Sequence, residues 1–414
     1  MAEIFTSRRA PSMLWGTMII SGTIVGAGMF TLPIVMAGAW YFWSGVLLLI
    51  AWGSMLMSGL LFLEANLNYP LGSGYDTLTR DLLGRRWSII NGLSIAFVLG
   101  ILAYAYISAS GPVLKHSLNS FGLNVSVGSA KVLFTLCVAV LVWFGTAMVG
   151  RMILLCLGAK LITFFSLFGG LLKQVDTGKL FNAVDHHASY LPYTLMVLPF
   201  CLASFGFHGN IAGLVAYYRQ DVRRVVGSLL LGTLLALAIY LIWLTGTMGN
   251  ISRHDFPAIA ARGGDVEALI STLRPMLHIP YLNVLLEVFS HFAVACSFLG
   301  VTLGLFDYLA DRLGWGNAPL QRLKTVILTF GPPLAFSLLF PDGFLYAIGF
   351  AGLLATLWAV FTPALVALRA RQRFVTMSWR LRGGVLPIIL VLLFGIANVV
   401  VWIMTQFGWL PVYK

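Results

Sequence analysis

Residues 21–30 read SGTIVGAGMF, and how this stretch is read decides the fold. Apolar sequence flanks it over 13–20 and 32–37, so hydropathy puts it inside a membrane helix. Gly22, Gly26 and Gly28 crowd its middle. Glycine releases the backbone from helical dihedrals and lets another molecule approach the main chain, and Pro33 is read as restarting the helix with no amide to satisfy. Lipid tolerates irregular backbone only where protein or a wet cavity covers it. The stretch is therefore either a binding site or a small-residue packing face, because its glycines also fit small-xxx-small spacing.

Composition fixes the class. Of 414 residues 59% are apolar and only 10% charged, with a mean hydropathy of +0.91, whereas a soluble domain is about one-quarter charged. The formal charge of +12 would point to nucleic acid in a soluble chain. Here the basic residues sit in short loops between apolar runs and act as orientation signals, so no nucleic-acid partner is expected. Cys137, Cys156, Cys201 and Cys296 lie in apolar runs without metal-ligand spacing and read as small buried hydrophobes. The first apolar run is too long for a signal peptide and is expected to be retained.

Runs of about 20 apolar residues cross a bilayer core. Eleven are read: 12–38, 41–67, 88–112, 129–149, 151–173, 191–213, 225–248, 281–310, 323–340, 343–368 and 385–408. With the N-terminus in the cytoplasm, 17 of the 26 Lys and Arg residues fall on the inner side and 8 on the outer, with Lys160 within a span. The positive-inside rule thus predicts a cytoplasmic N-terminus and a periplasmic C-terminus. In the long outer loop 249–280, DVEALISTL predicts a short amphipathic helix over the outer face.

The sixth span is also interrupted. PFCLASFGFHGN, residues 199–210, puts proline, two glycines, histidine and asparagine where a membrane helix should be smooth. Breaks at corresponding places in two halves of a chain are the best sequence pointer to a transporter site. Spans one and six each open a set of five, and an odd number makes the sets run oppositely through the membrane. The expected organisation is a first inverted repeat over 1–173, a second over 191–369, and an additional span at 385–408. This correspondence favours the site reading of the opening stretch.

A helix broken in mid-membrane offers both dipole ends. The restarting half, from Gly26 through Ala27 and Gly28, presents amides suited to a carboxylate. The last carbonyls before the gaps, around Gly22, Thr23 and Ile24 and around Ser204 and Phe205, suit an ammonium. The pair matches a zwitterion. Its side chain would meet Phe205, Phe207 and one of Tyr104 and Tyr106, which two-residue spacing puts on different faces; Tyr104 is taken as the lining residue. His208 and Asn210 complete the candidate substrate site. Ionisable groups inside the membrane are functional candidates. Lys160 lies nine residues past Arg151, about 13–14 Å deep at 1.5 Å per residue. It is the leading proton-coupling candidate, with Glu64 second. Asp307 and Asp311 beside Arg312, and Glu287, lie nearer span ends.

GTIVGAGMFTLP, AGAWYFW, LEANLNYP, AYISASG, LGAKLITFF, LPFCLASFGFHGN, TMGNISR, FLGVTLGLFDYLAD and FLYAIGFAGL together resemble the hydroxy and aromatic amino acid permease family, closest to its tryptophan-specific branch. The resemblance implies an all-α inner-membrane carrier of eleven transmembrane helices. Its first ten would form the five-plus-five inverted repeat (LeuT-like) of the amino acid–polyamine–organocation superfamily, with broken helices one and six. It implies L-tryptophan import by proton symport, with no cofactor and no metal. In relatives a fifth-helix lysine takes the place of a coupling sodium, and Lys160 stands in the matching position. Many relatives carry serine where Ala27 stands, so backbone donors must hold the carboxylate. The chain is expected to be a monomeric carrier in the lipid bilayer and not an enzyme. The alternatives are sodium coupling through Ser297 or Thr302, tyrosine or indole selectivity, and a non-transporting sensor.

Overall fold

A computed structural model describes residues 12–413 except 27, 184–188, 262–268, 270–271, 274–280, 317 and 341–343. The described chain is helical, with no strand among those residues. In order it forms α1 (Met13–Ile24), α2 (Gly28–Val35), α3 (Trp40–Asn66), α4 (Tyr75–Leu83), α5 (Arg85–Ser120), α6 (Val127–Phe144), α7 (Thr146–Lys173) and α8 (Thr177–Leu180). The second part forms α9 (Leu198–Ser204), α10 (Ile211–Tyr217), α11 (Val222–Met248), α12 (Phe256–Ala261), α13 (Leu282–Leu313), α14 (Pro319–Leu339), α15 (Phe344–Thr356), α16 (Thr362–Arg373) and α17 (Leu386–Gln406).

Among the described residues nine helical stretches are long and apolar enough to cross a membrane. They match the expected spans two to eight, ten and eleven. The first expected span is divided into helices of 12 and 8 residues. The ninth is helical over Pro319–Leu339 but falls outside those nine. Pro33 does not restart the first span: α2 begins at Gly28, five residues earlier, and Pro33 lies within it. A wide turn of π-helix, Leu357–Phe361, joins α15 to α16. Of the predicted loop helix only Leu269, Thr272 and Leu273 are described; all three are helical and both leucines are buried. The rest of that expectation lies outside the described residues.

Packing puts the broken segments inside. Helix α1 lies along α11, α9 and α10 lie against α3, and α3 packs on α11. A second group, α5, α6, α13 and α14, packs on itself, with α7 on α13 and α15 on α5. Apolar side chains also face outward: Leu155, Ile162 and Phe165 on α7 and Leu386, Leu393 and Ile396 on α17 are exposed, the reverse of a soluble surface. Cys137 shares that outer surface, a departure from the expectation of burial, whereas Cys156, Cys201 and Cys296 are buried and all four are free.

Each end of the bundle is tied by an arginine. At one end Glu64, closing α3, accepts two bonds from Arg371 of α16, at 2.5 and 2.8 Å, and one from the Leu381 amide at 2.9 Å. The Arg371 guanidinium also reaches the Gly384 carbonyl. Beside this pair Asp81 takes bonds from Tyr69 and Arg373, which hold its carboxyl below the usual range. At the other end Arg253, 4% exposed, donates to the carbonyls of Ala37 (3.2 Å), Gly38 (2.7 Å) and Ser189 (3.1 Å). Its plane lies 4.6 Å from the Tyr190 ring and 4.4 Å from the Tyr413 ring. The fork thus joins the turn after α2, the approach to α9 and the C-terminal tail.

A lysine keeps the charge but loses the planar fork that serves three carbonyls and two rings. Arg253→Lys is expected to cost ~2 kcal/mol through two lost carbonyl bonds. A melting curve of the purified protein, lowered by several degrees, checks it.

Candidate functional site

Both sequence-predicted breaks are present and lie side by side. Helix α1 ends at Ile24 and helix resumes at Gly28, with Ala27 outside the described residues. Helix α9 ends at Ser204, residues 205–207 are not helical, and one 3-10 turn, His208–Asn210, leads into α10. The Asn210 amide donates to the Thr23 hydroxyl at 2.8 Å, bonding one break to the other.

The carbonyls left by the breaks have protein donors. The Tyr240 hydroxyl, from the middle of α11, lies 2.7 Å from the Ile24 carbonyl and 2.8 Å from the Ser204 carbonyl. The Lys160 ammonium, from α7 and 1% exposed, donates to the Val25 carbonyl. The Cys296 thiol approaches the Gly22 carbonyl at 3.9 Å. The Ser204 and Thr23 hydroxyls donate back along their own helices, to Phe200 and Ile19.

Gly22 and Gly26 are used differently from the expectation. Neither has the left-handed φ that would require glycine. They provide room. A Cβ at Gly26 would lie 2.4 Å from the Ser297 oxygen and 3.3 Å from the Tyr106 hydroxyl, and one at Gly22 would lie 3.3 Å from Leu157. Ser297, raised earlier as a sodium ligand, thus abuts the first break on the side where the Tyr106 hydroxyl also lies. The Thr302 hydroxyl is turned to its own helix, 2.6 Å from the Phe298 carbonyl.

The two tyrosines of α5 diverge as their spacing requires. Tyr106 faces Gly26, while Tyr104 donates to the Phe340 carbonyl at 2.6 Å, beyond α14 and away from the breaks. Phe205 is buried with its ring edge-on to Tyr240, centroids 5.4 Å apart. Phe207 turns toward α3, its ring filling the space over Gly59. His208 is buried, stacked 4.6 Å from Phe207 and edge-on to Trp358 of the π-turn at 6.2 Å. Neither of its ring nitrogens, nor the Trp358 nitrogen or the Tyr75 hydroxyl beside it, has a hydrogen-bond partner among the described residues. A buried polar atom left bare costs ~1–3 kcal/mol, so this corner suits a water or a ligand polar group.

Glu64 is not at the breaks. It belongs to the clasp with Arg371, both side chains almost fully buried. Asp307 is exposed, and Arg312 pairs with Asp76 at 3.2 Å. The side chains of Asp311 and Glu287 lie outside the described residues. Sequence reasoning missed Tyr240 and Trp358. The signal for Tyr240 was available: in the apolar run 234–244 only Tyr240 and Trp243 carry a polar atom.

Two kinds of comparison bear on this geometry. The model of the tryptophan/tyrosine permease family matches residues 9–402. A tryptophan-specific transport protein of Shigella flexneri is 55% identical over 414 residues, covering 100% of both chains. Another, of Pseudomonas aeruginosa, is 52% identical over 99% of this chain and 98% of its own length. Among solved structures, a mutant of a manganese transporter from Eremococcus coleocola superposes with a TM-score of 0.61 at 14% identity, covering 96% of this chain and 88% of that one. At that identity the likeness is one of fold alone.

The clasp generates a test. Removing one partner of a buried ion pair leaves a bare charge, at about 3–5 kcal/mol, whereas replacing both is tolerated far better. Glu64→Gln is therefore expected to collapse the yield of folded protein, and adding Arg371→Met to recover part of it, read by fluorescence-detected size exclusion after heating.

Proposed function

The chain belongs to the tryptophan/tyrosine permease family, and from that premise we propose that it imports L-tryptophan together with a proton by alternating access. It is a permease and not an enzyme. The observation that carries the substrate reading is the pairing of the breaks: carbonyls of Ile24, Val25 and Ser204 converge beside the amino-terminal end of α2. Helix C-termini attract an ammonium and an N-terminus attracts a carboxylate, so a zwitterion spans the gap without an ionised partner for each group. Rings of Phe205 and Tyr106 border it, as an aromatic side chain prefers. The tryptophan-specific relatives favour the indole ring over the phenol.

Proton coupling is favoured over sodium by what already holds the carbonyls. A sodium ion takes oxygen ligands from unwound backbone, and here the Val25 carbonyl is already held by the Lys160 ammonium, a cation in that place. A buried lysine can lose its charge and still donate through a remaining N–H, so a proton can come and go without undoing the anchor at Val25.

The packing supports a five-plus-five inverted repeat within eleven spans, over 1–173 and 191–369, with 385–408 added. If each span is exchanged for the one five later, neighbours map onto neighbours: α1 on α11 becomes α9–α10 on α3, and α7 on α13 becomes α15 on α5. Ser12 lies by Tyr218 at one end of the bundle and Tyr413 by Arg253 at the other, as an odd number of spans requires. The outward apolar belt then meets the lipid of a bacterial inner membrane, with the basic end cytoplasmic. Movement divides along the two packing groups, α1–α2, α3, α9–α10 and α11 rocking against α5, α6, α13 and α14.

Proteoliposomes given a pH gradient and no sodium are expected to accumulate labelled tryptophan, with unlabelled tyrosine a weaker competitor than tryptophan. Accumulation that follows a sodium gradient and ignores pH would reject the coupling. Lys160→Ala is expected to retain binding and counterflow but to lose pH-driven accumulation. Gly26→Val is expected to abolish binding, because its branched side chain would overlap Ser297 and enter the gap.

A further inference from the structure

Tyr240 presents a deficit of hydrogen. Its hydroxyl oxygen stands 2.7 Å from one carbonyl and 2.8 Å from another. A phenol has a single proton, and carbonyls only accept. The single proton is shared or alternates between the two, so neither carbonyl has a full hydrogen bond from it. The oxygen cannot retreat: the side chain is 1% exposed and its ring is wedged edge-on against Phe205. Ile24 ends α1 and Ser204 ends α9, so both carbonyls also carry the negative end of a helix dipole. The cluster is short of donors and long on negative potential, and Lys160 is engaged one residue further on, at Val25.

We propose that Tyr240 is the positioning residue for the substrate's ammonium, setting the ends of α1 and α9 one oxygen apart so that a group with several N–H bonds completes the cluster. The inference rests on the reading that a zwitterion lies between the breaks. An entering ammonium supplies the missing donor to whichever carbonyl the phenol is not serving and can donate to the phenol oxygen as well. Tyr240 needs no change of ring position, only a rotation of its O–H. Its part is to act through the two carbonyls on one end of the ligand. A strut that merely filled space would affect every ligand alike.

Tyr240→Phe keeps the ring against Phe205 and removes only the hydroxyl. Competition against labelled tryptophan on purified protein, using tryptamine, which keeps the ammonium, and indole-3-propionate, which keeps the carboxylate, separates the two roles. The expected result is a loss of about tenfold for tryptophan and for tryptamine, the worth of one well-placed hydrogen bond to a charged group, with indole-3-propionate changed less than about twofold. Equal weakening of all three, or an unchanged tryptophan affinity, would overturn the proposal. Should wild type bind neither analogue, melting curves decide. The rise in melting temperature that saturating tryptophan gives is expected to shrink in Tyr240→Phe whatever the unliganded value, which supports the positioning role, and a rise equal to that of wild type rejects it. Wild-type protein that binds no aromatic amino acid would remove the substrate reading itself, an outcome visible before any variant is made.

Discussion

A backbone carbonyl inside a bilayer has no water to turn to, and this constraint governs the molecule. Two helices stop in the interior, at Ile24 and Ser204, where each bare peptide group would cost several kcal/mol. The chain meets that cost with side chains brought from other helices: Tyr240 from α11 and Lys160 from α7. The breaks are thus held open by donors outside the segments that break. A shift of α7 or α11 relative to α1 is felt directly at the carbonyls, which is the mechanical link that the proposed transport cycle requires.

How far the sequence reached follows from what kind of signal each feature leaves. The breaks were legible because glycine, proline and asparagine interrupt long apolar runs, a local and one-dimensional contrast. The family was legible for the same reason, in contiguous motifs. What the breaks touch was not, because contacts such as Tyr240 with Ile24 join residues 216 apart in sequence. Spacing established that Tyr104 and Tyr106 face different ways but not which way either faces, and the structure turns Tyr104 to Phe340. Glu64 carried the mark of an intramembrane acid, yet its partner Arg371 reads in sequence as one of several arginines after a span. Nothing short of the folded chain brings those two together.

The two ends of the bundle solve opposite problems with the same side chain. At the Glu64 end a buried carboxylate must be neutralised, so Arg371 works as a charge and its fork matches two oxygens. At the other end Arg253 meets no carboxylate among its described contacts. It serves three carbonyls and is sheathed by tyrosine rings, so its charge is spread over helix-end dipoles and aromatic faces. The first arrangement fastens the loop after α16 beneath α3. The second fastens the turn after α2 to the approach of α9, at the same end of both broken spans. Under the proposed alternating access, opening toward that side would part Arg253 from at least one of these segments, and opening toward the other would strain the clasp.

The glycine stretch of the first span had two competing readings, a binding site and a packing face, and the structure joins the packing of α1 on α11 to the geometry of the break. Gly16 and Gly232 bring α1 and α11 into near-backbone contact: a Cβ on Gly16 would overlap Ser228, and one on Gly232 would lie 2.7 Å from Ile20 and 2.9 Å from the Thr17 carbonyl. The helices run parallel here, Ser228 beside Met13, Gly232 beside Ile20 and Tyr240 beside Ile24. Tyr240 lies eight residues beyond Gly232, about 12 Å along a helix. A side chain at Gly232 would push the two axes apart by roughly the radius of a methyl group, more than a 2.7 Å hydrogen bond tolerates. Close packing at one depth is therefore what delivers the hydroxyl at another, and small residues well away from the gap are part of what shapes it.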